Sequence, residues 1–132
     1  SMPVNIYSRD LSPDGKYLAK GSNDKTAIIY DAKSEKKLKI LKGHTEMVDA
    51  ISWSPDGKYI ISGSRDGIVK LWDAKSGLCL QTFDGHNGEV DFVGFTSDGR
   101  KIIAETFEGV ILQWDFPPLD ELIEKTKKWA GE

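Results

Sequence analysis

His44, Ser62 and Asp66 are the residues whose types suit nucleophilic catalysis: an imidazole base, a hydroxyl nucleophile and a carboxylate to orient the base. On type alone they read as a hydrolase triad. The rest of the chain adds no further chemistry. Its two histidines, His44 and His86, stand far apart in sequence, and Cys79 is the single cysteine, which makes no metal set with zinc spacing. The glycines fall in turn contexts such as Asp-Gly rather than in a phosphate loop with its lysine. No catalytic activity, cofactor or metal is expected unless the three residues above converge, and that depends on the elements that carry them.

The whole-chain composition bounds those elements. A length of 132 residues is in the range of one domain, and 39% hydrophobic with 10% aromatic content is enough for a core. No stretch is long and apolar enough to span a membrane. A net charge of −3 gives no general attraction to nucleic acid or to anionic lipid. One cysteine cannot form an internal disulfide, which fits a reducing compartment, so a cytoplasmic location is the expectation. Ser1 before Met2 reads as a tag remnant, and residues 1–3 as a short N-terminal arm.

A repeat organises the rest. Tyr30-Asp31, Trp72-Asp73 and Trp114-Asp115 recur at one constant interval of about forty residues, and Gly43-His44 and Gly85-His86 keep the same spacing. So do Ser12-Pro13-Asp14-Gly15, Ser54-Pro55-Asp56-Gly57 and Thr96-Ser97-Asp98-Gly99. Between these landmarks the second repeat reads as four short strands: Met47 to Trp53, Lys58 to Ser64, Ile68 to Trp72, and Leu78 to Phe83. The pattern predicts an all-β fold of three antiparallel units at about 4–42, 46–84 and 88–116. Phe116-Pro117-Pro118 stands where the third unit would begin its outer strand, and prolines remove ladder donors there. Leu119, Leu122, Ile123, Thr126 and Trp129 then repeat at helical spacing, so 117–132 is expected to be a helical tail. Acids early and lysines late in it suit a helix dipole.

Gly-His, Ser-Pro-Asp-Gly and Trp-Asp, in that order and at that period, resemble the WD40 repeats of β-propellers. The resemblance covers about residues 4 to 116 and implies three four-stranded blades, the last without its outer strand. It also implies a different role for the apparent triad. In that family the histidine, a Ser or Thr of the second strand, the following Asp and the Trp form a buried hydrogen-bonded tetrad. His44, Ser62, Asp66 and Trp72 match those positions one for one. A carboxylate and a hydroxyl would satisfy both imidazole nitrogens while the indole N–H finds the hydroxyl oxygen. The third blade keeps His86 and Trp114 but has Ala104 and Glu108 in the other two places. The first keeps only Asp24, with Met2, Lys20 and Tyr30 in the others, and is expected to be the loosest. Lys20 in a normally buried slot is costly unless it reaches water or a partner.

The resemblance further implies a scaffold that binds protein or peptide partners. The expected surface is the top face, made by outer-to-inner strand connections and second-to-third strand turns. Glu46, Asp49, Arg65, Glu89, Asp91, Phe107 and Glu108 fall on it; its five carboxylates give it an acidic lean, while lysines near the Asp-Gly turns make the opposite face basic. Phe107 is the best anchor, being aromatic at a turn tip. No nucleic-acid or membrane partner is expected. Three blades do not close a ring of the usual four to eight. Three explanations stay open: a half-propeller that pairs with itself, the C-terminal piece of a larger WD40 protein with a sensor or regulatory role, or a deliberately cut fragment. As a homo-oligomer, two copies would carry six blades and three would carry nine; the dimer is the simpler closed symmetry.

Overall fold

The computed structural model describes residues 6–85 and 88–116, and within them each repeat becomes one antiparallel sheet. The first sheet runs β1 (Ile6–Leu11), β2 (Tyr17–Ser22), β3 (Ala27–Asp31), β4 (Lys37–Leu41) in spatial order. The second runs β5 (Val48–Trp53), β6 (Tyr59–Ser64), β7 (Ile68–Asp73), β8 (Cys79–Asp84). The third holds β9 (Val90–Phe95), β10 (Lys101–Thr106) and β11 (Ile111–Asp115), and no outer strand among the described residues. The N-terminal arm, His86 and the helix expected in 117–132 lie outside the described residues.

The Asp-Gly turns show why this sequence makes tight hairpins. Ser12, Ser54 and Thr96 each donate a hydroxyl hydrogen bond to the carboxylate two residues on, at 2.7, 2.6 and 2.6 Å. The same carboxylates, Asp14, Asp56 and Asp98, accept the backbone N–H of Lys16, Lys58 and Arg100 at 2.9 Å. The hydroxyl oxygens in turn accept the N–H of Tyr17, Tyr59 and Lys101. Gly15, Gly57 and Gly99 sit at φ of 75°, 74° and 72°, a conformation that side chains disfavour.

Residues opposite one another in register share a face of the sheet. On the leading face of the second sheet lie Trp53, Ile60 and Trp72, with Ile51 and Ser62 beside them. They pack, with Val48, on Ala19, Ala27, Ile29 and Leu41 of the first sheet's trailing face. The second seam repeats the arrangement. Ala50, Ile61, Val69 and Leu71 meet Val90, Val93, Ile102 and Ala104, and Tyr59 stacks edge-on against Phe116 at 5.1 Å. Each seam is thus a two-sheet apolar core, which a single sheet could not bury for itself. Two polar ties lock the first one: Trp53 donates its backbone N–H to the Asp10 carboxylate and its indole N–H to the Asp10 carbonyl, both at 2.9 Å.

Candidate functional site

Ser62 sits in the middle of β6 with its side chain on the leading face, fully buried between His44 and Trp72. Trp72 donates its indole N–H to Ser62 Oγ at 2.8 Å, and His44 Nε2 lies 2.6 Å from the same oxygen. The other acceptor near the hydroxyl is the Lys70 carbonyl, at 3.5 Å. The serine proton is therefore best directed at Nε2, leaving the imidazole proton on Nδ1. Nδ1 has no hydrogen-bond partner. Asp66 does not supply one. It lies in the β6–β7 turn, where it accepts from Ser64 Oγ, from the Ile68 N–H at 3.0 Å and from Thr45 Oγ1 at 2.7 Å. Three of the four expected tetrad members are therefore hydrogen-bonded together, and the fourth acts on the imidazole through charge alone. The physical reason is local: the turn N–H and two hydroxyls already claim the carboxylate.

This arrangement does not present a nucleophile. A serine with no exposed surface cannot meet a substrate carbonyl, whatever base adjoins it. Burial, aided by the Lys70 ammonium and opposed by the Asp66 carboxylate, holds the His44 imidazole down at about 4, below its ordinary 6.5. It is neutral in the folded chain at physiological pH. The contribution of His44 to stability should therefore be complete above pH 6.5, fall as pH drops toward 4, and be lower by about 3 kcal/mol at the bottom of that window. A His44→Phe variant, with nothing to titrate, should show a flatter dependence of its urea midpoint between pH 7 and 4. Parallel slopes in the two proteins would show that His44 does not carry the effect.

The first sheet solves the same position differently. Lys20 replaces the serine and Tyr30 the tryptophan, and the ammonium sits 4.8 Å from the centre of the tyrosine ring. A cation–π contact thus stands where the second sheet has an indole–hydroxyl bond. Burial raises the Tyr30 hydroxyl above its ordinary value. In the third sheet Trp114 packs against Phe83 at 4.8 Å, with Ala104 buried beside it; His86 is outside the described residues. A further device recurs in all three sheets. Ser22, Ser64 and Thr106, each one repeat after the last, are buried hydroxyls at the ends of β2, β6 and β10 that anchor the following turns. Their constant spacing is the signal that could have found them.

The loop end is tied together by backbone. Arg65 donates its N–H to the Met47 carbonyl at 3.0 Å, and Phe107 repeats the bond to Glu89 at 2.8 Å. Each β-turn is thereby held against the loop that enters its own inner strand. Arg65 also forks onto Asp49, with Nε and Nη2 at 3.1 and 3.2 Å from the two carboxylate oxygens. That pairing amends the expected acidic lean, because the Asp49 charge is already compensated. Glu46, Asp91 and Glu108 are exposed, Glu89 is half-buried, and Phe107 is 74% exposed at the tip of the β10–β11 turn. A cleft of about 280 Å³ runs along the inner strands past Arg9, Asp49, Asp91 and Phe92. At the opposite end, a cleft of about 640 Å³ has Tyr17, Trp53 and Tyr59 in its wall and Lys39, Lys58 and Lys75 at its rim. It was not legible in the sequence, since its lining is drawn from turns and strands of two sheets. Among the described residues no group of three or more His, Cys, Asp or Glu could hold a metal ion.

Comparison with known proteins agrees with this geometry. The profile of the WD domain, G-beta repeat family matches residues 3–31, 35–73 and 77–115. The matched segments are offset from the sheets by one strand, so β4 belongs to the first sheet and the second matched segment. Over 44 residues the chain is 48% identical to protein lethal(2)denticleless of Drosophila melanogaster, a match that covers 33% of this chain and 6% of that protein. The crystal structure of RRP9 WD40 repeats superimposes with a TM-score of 0.80 at 25% identity, covering 87% of this chain and 36% of the other. The chain thus spans about a third of that solved protein's length. Three profile matches, three sheets of the right order and a shared fold lead to one conclusion: this chain belongs to the WD40 repeat family of β-propellers.

Proposed function

We propose that this chain is a non-catalytic scaffold whose loop end binds a basic or amide-bearing segment of a protein partner, and whose partial propeller is completed by self-association. WD40 repeats are surfaces for protein partners, and the observation that carries the reading for this chain is Phe107. It is 74% exposed on a turn pinned to the Glu89 backbone, so its ring is presented rigidly, next to the exposed acid of Glu108. Rigid aromatic anchors of this kind dominate binding energy at interfaces. In this reading the chain has no nucleic-acid or membrane role and works in the cytoplasm, where exposed Cys79 stays reduced.

Binding of a lysine- and arginine-rich peptide library, read by fluorescence anisotropy, tests the surface. Wild-type protein should select members, and Phe107→Ala should weaken them about tenfold or more with unchanged thermal stability. Equal affinity in the variant would remove Phe107 from the site. Light scattering on a sizing column tests the assembly against a chain mass of 14.7 kDa. Twice that mass supports a six-bladed ring, and three times would replace it by nine blades. A clean monomer would overturn self-association. It would favour the second reading, a C-terminal regulatory piece of a larger WD40 protein, which the 36% coverage of the solved relative supports.

A further inference from the structure

Among the described residues two sheet faces have no neighbouring sheet: the leading face of the first sheet and the trailing face of the third. At the internal seams a glycine meets β-branched side chains. A Cβ added at Gly21 would stand 2.6 Å from the Val48 carbonyl oxygen and 2.7 Å from Val48 Cγ1. At Gly63, the equivalent position one repeat later, it would stand 2.5 Å from Val90 Cγ1 and 2.9 Å from Val93 Cγ1. Only glycine permits so close an approach. The next member of that series is Glu105, on the trailing face opposite Phe92 and Ile111. The two residues that meet Gly63, Val90 and Val93, correspond in the first sheet to Ile6 and Arg9, and Arg9 lies on its leading face opposite Lys20.

Where the second seam sets Gly63 against two valines, the two uncovered faces carry Glu105 on one side and Ile6 with Arg9 on the other, an acid and a base in place of a glycine and a valine. Both Glu105 and Arg9 are exposed, and neither is in an ion pair among the described residues. Apolar surface surrounds each of them. Phe92 and Ile111 are 53% and 67% exposed on the acidic side, and Leu11 and Ile40 are 52% and 48% exposed on the basic side. A seam built like the internal ones would drive Glu105 into the facing strand. A long guanidinium at the facing position instead reaches the carboxylate across a slightly wider gap.

We propose that a second copy of this chain docks head-to-tail on these faces, with Glu105 of one copy paired to Arg9 of the other and Lys20 adding positive charge beside them. This rests on the self-association reading and names the contact that makes it specific. In a two-chain ring the pair occurs twice, once at each seam.

Charge reversal tests it. Glu105→Arg and Arg9→Glu each place like charges at both seams of a homodimer, and each should weaken dimerisation on the order of 100-fold in sedimentation equilibrium. Mixing the two variants creates a heterodimer with one native and one reversed pair, so the mixture should recover the dimer. Recovery also shows that both variants fold. A wild-type dimer that neither reversal weakens, or reversals that mixing does not rescue, would overturn the Glu105–Arg9 contact while leaving self-association standing. A wild-type monomer at every concentration would overturn self-association itself and assign these faces to blades of a longer chain.

Discussion

Trp72→Ala is expected to destabilise the chain by about 3–5 kcal/mol, the largest loss available from one core side chain. The indole is 1% exposed and fills the seam between the first two sheets, against Ala19, Ala27, Ile29 and Leu41. Its removal leaves a cavity that two rigid sheets cannot close. It also takes away the hydrogen bond that Ser62 Oγ accepts. Trp72→Phe separates the two contributions by keeping most of the packing and losing the N–H, and should cost about 1–2 kcal/mol. Urea unfolding followed by tryptophan fluorescence and circular dichroism would read both. A Trp72→Ala loss below about 1 kcal/mol would mean that the first seam does not hold the blades together. Since whole domains are stable by only about 5–15 kcal/mol, the predicted loss is a large share of the total.

The second large effect is expected at Gly63. Gly63→Ala places a methyl 2.5 Å from Val90 Cγ1 and 2.9 Å from Val93 Cγ1, so two buried valines would have to give way at once. That overpacking should cost about 1–3 kcal/mol. Gly63→Glu, which copies the residue found at 105 into the second sheet, adds an unpaired charge inside an apolar seam and should cost about 3–5 kcal/mol. The graded pair distinguishes sterics from charge. Thermal melts of both variants would show the order; equal midpoints for Gly63→Glu and the parent would mean that the second and third sheets do not pack as closely as described. The same residue is tolerated at 105 because that position has solvent in front of it within one chain. Position in the array, rather than intrinsic strand preference, sets the sign of the effect.

The pairing of Arg65 with Asp49 has a smaller expected consequence. Arg65 is 39% exposed at the side chain, so solvent screens the bond, and an Arg65→Ala variant should lose about 1 kcal/mol or less. Its worth is orientation. The fork aligns the β6–β7 turn with the start of β5, next to the loop surface proposed for partner binding.

The order and number of the strands were readable from the repeat period. Ser-Pro-Asp-Gly, Asp-Gly and Trp-Asp each mark a turn or a strand end through local chemistry, and three copies of a local signal reinforce one another. The place of Ser62 in a buried cluster also followed, through the resemblance those motifs carry. Such features depend on residues near in sequence, or on a repeat that brings equivalent residues to equivalent places. Asp66 was less readable. Its carboxylate can serve the imidazole or its own turn, and the choice in favour of Thr45, Ser64 and the Ile68 N–H is a competition among neighbours at hydrogen-bond distance.

By itself, then, the sequence determined the blade: four strands, their turns, and the alternation that gives each sheet two apolar faces. Only the tertiary structure decided what those faces meet. Nothing in the sequence sets Gly21 and Gly63 apart from other glycines; the next sheet's Val48 and Val90, close against them, do. Asp49 and Arg65 looked like two independent surface charges until the turn folded one onto the other. The cleft walled by Tyr17, Trp53 and Tyr59 does not exist in either repeat alone, because its walls come from two sheets side by side. The physical reason is common to all three. Hydrogen bonds within a hairpin are set by backbone and neighbouring side chains, whereas a seam is set by the shapes and charges of residues distant in sequence, whose contact appears only once the sheets are stacked.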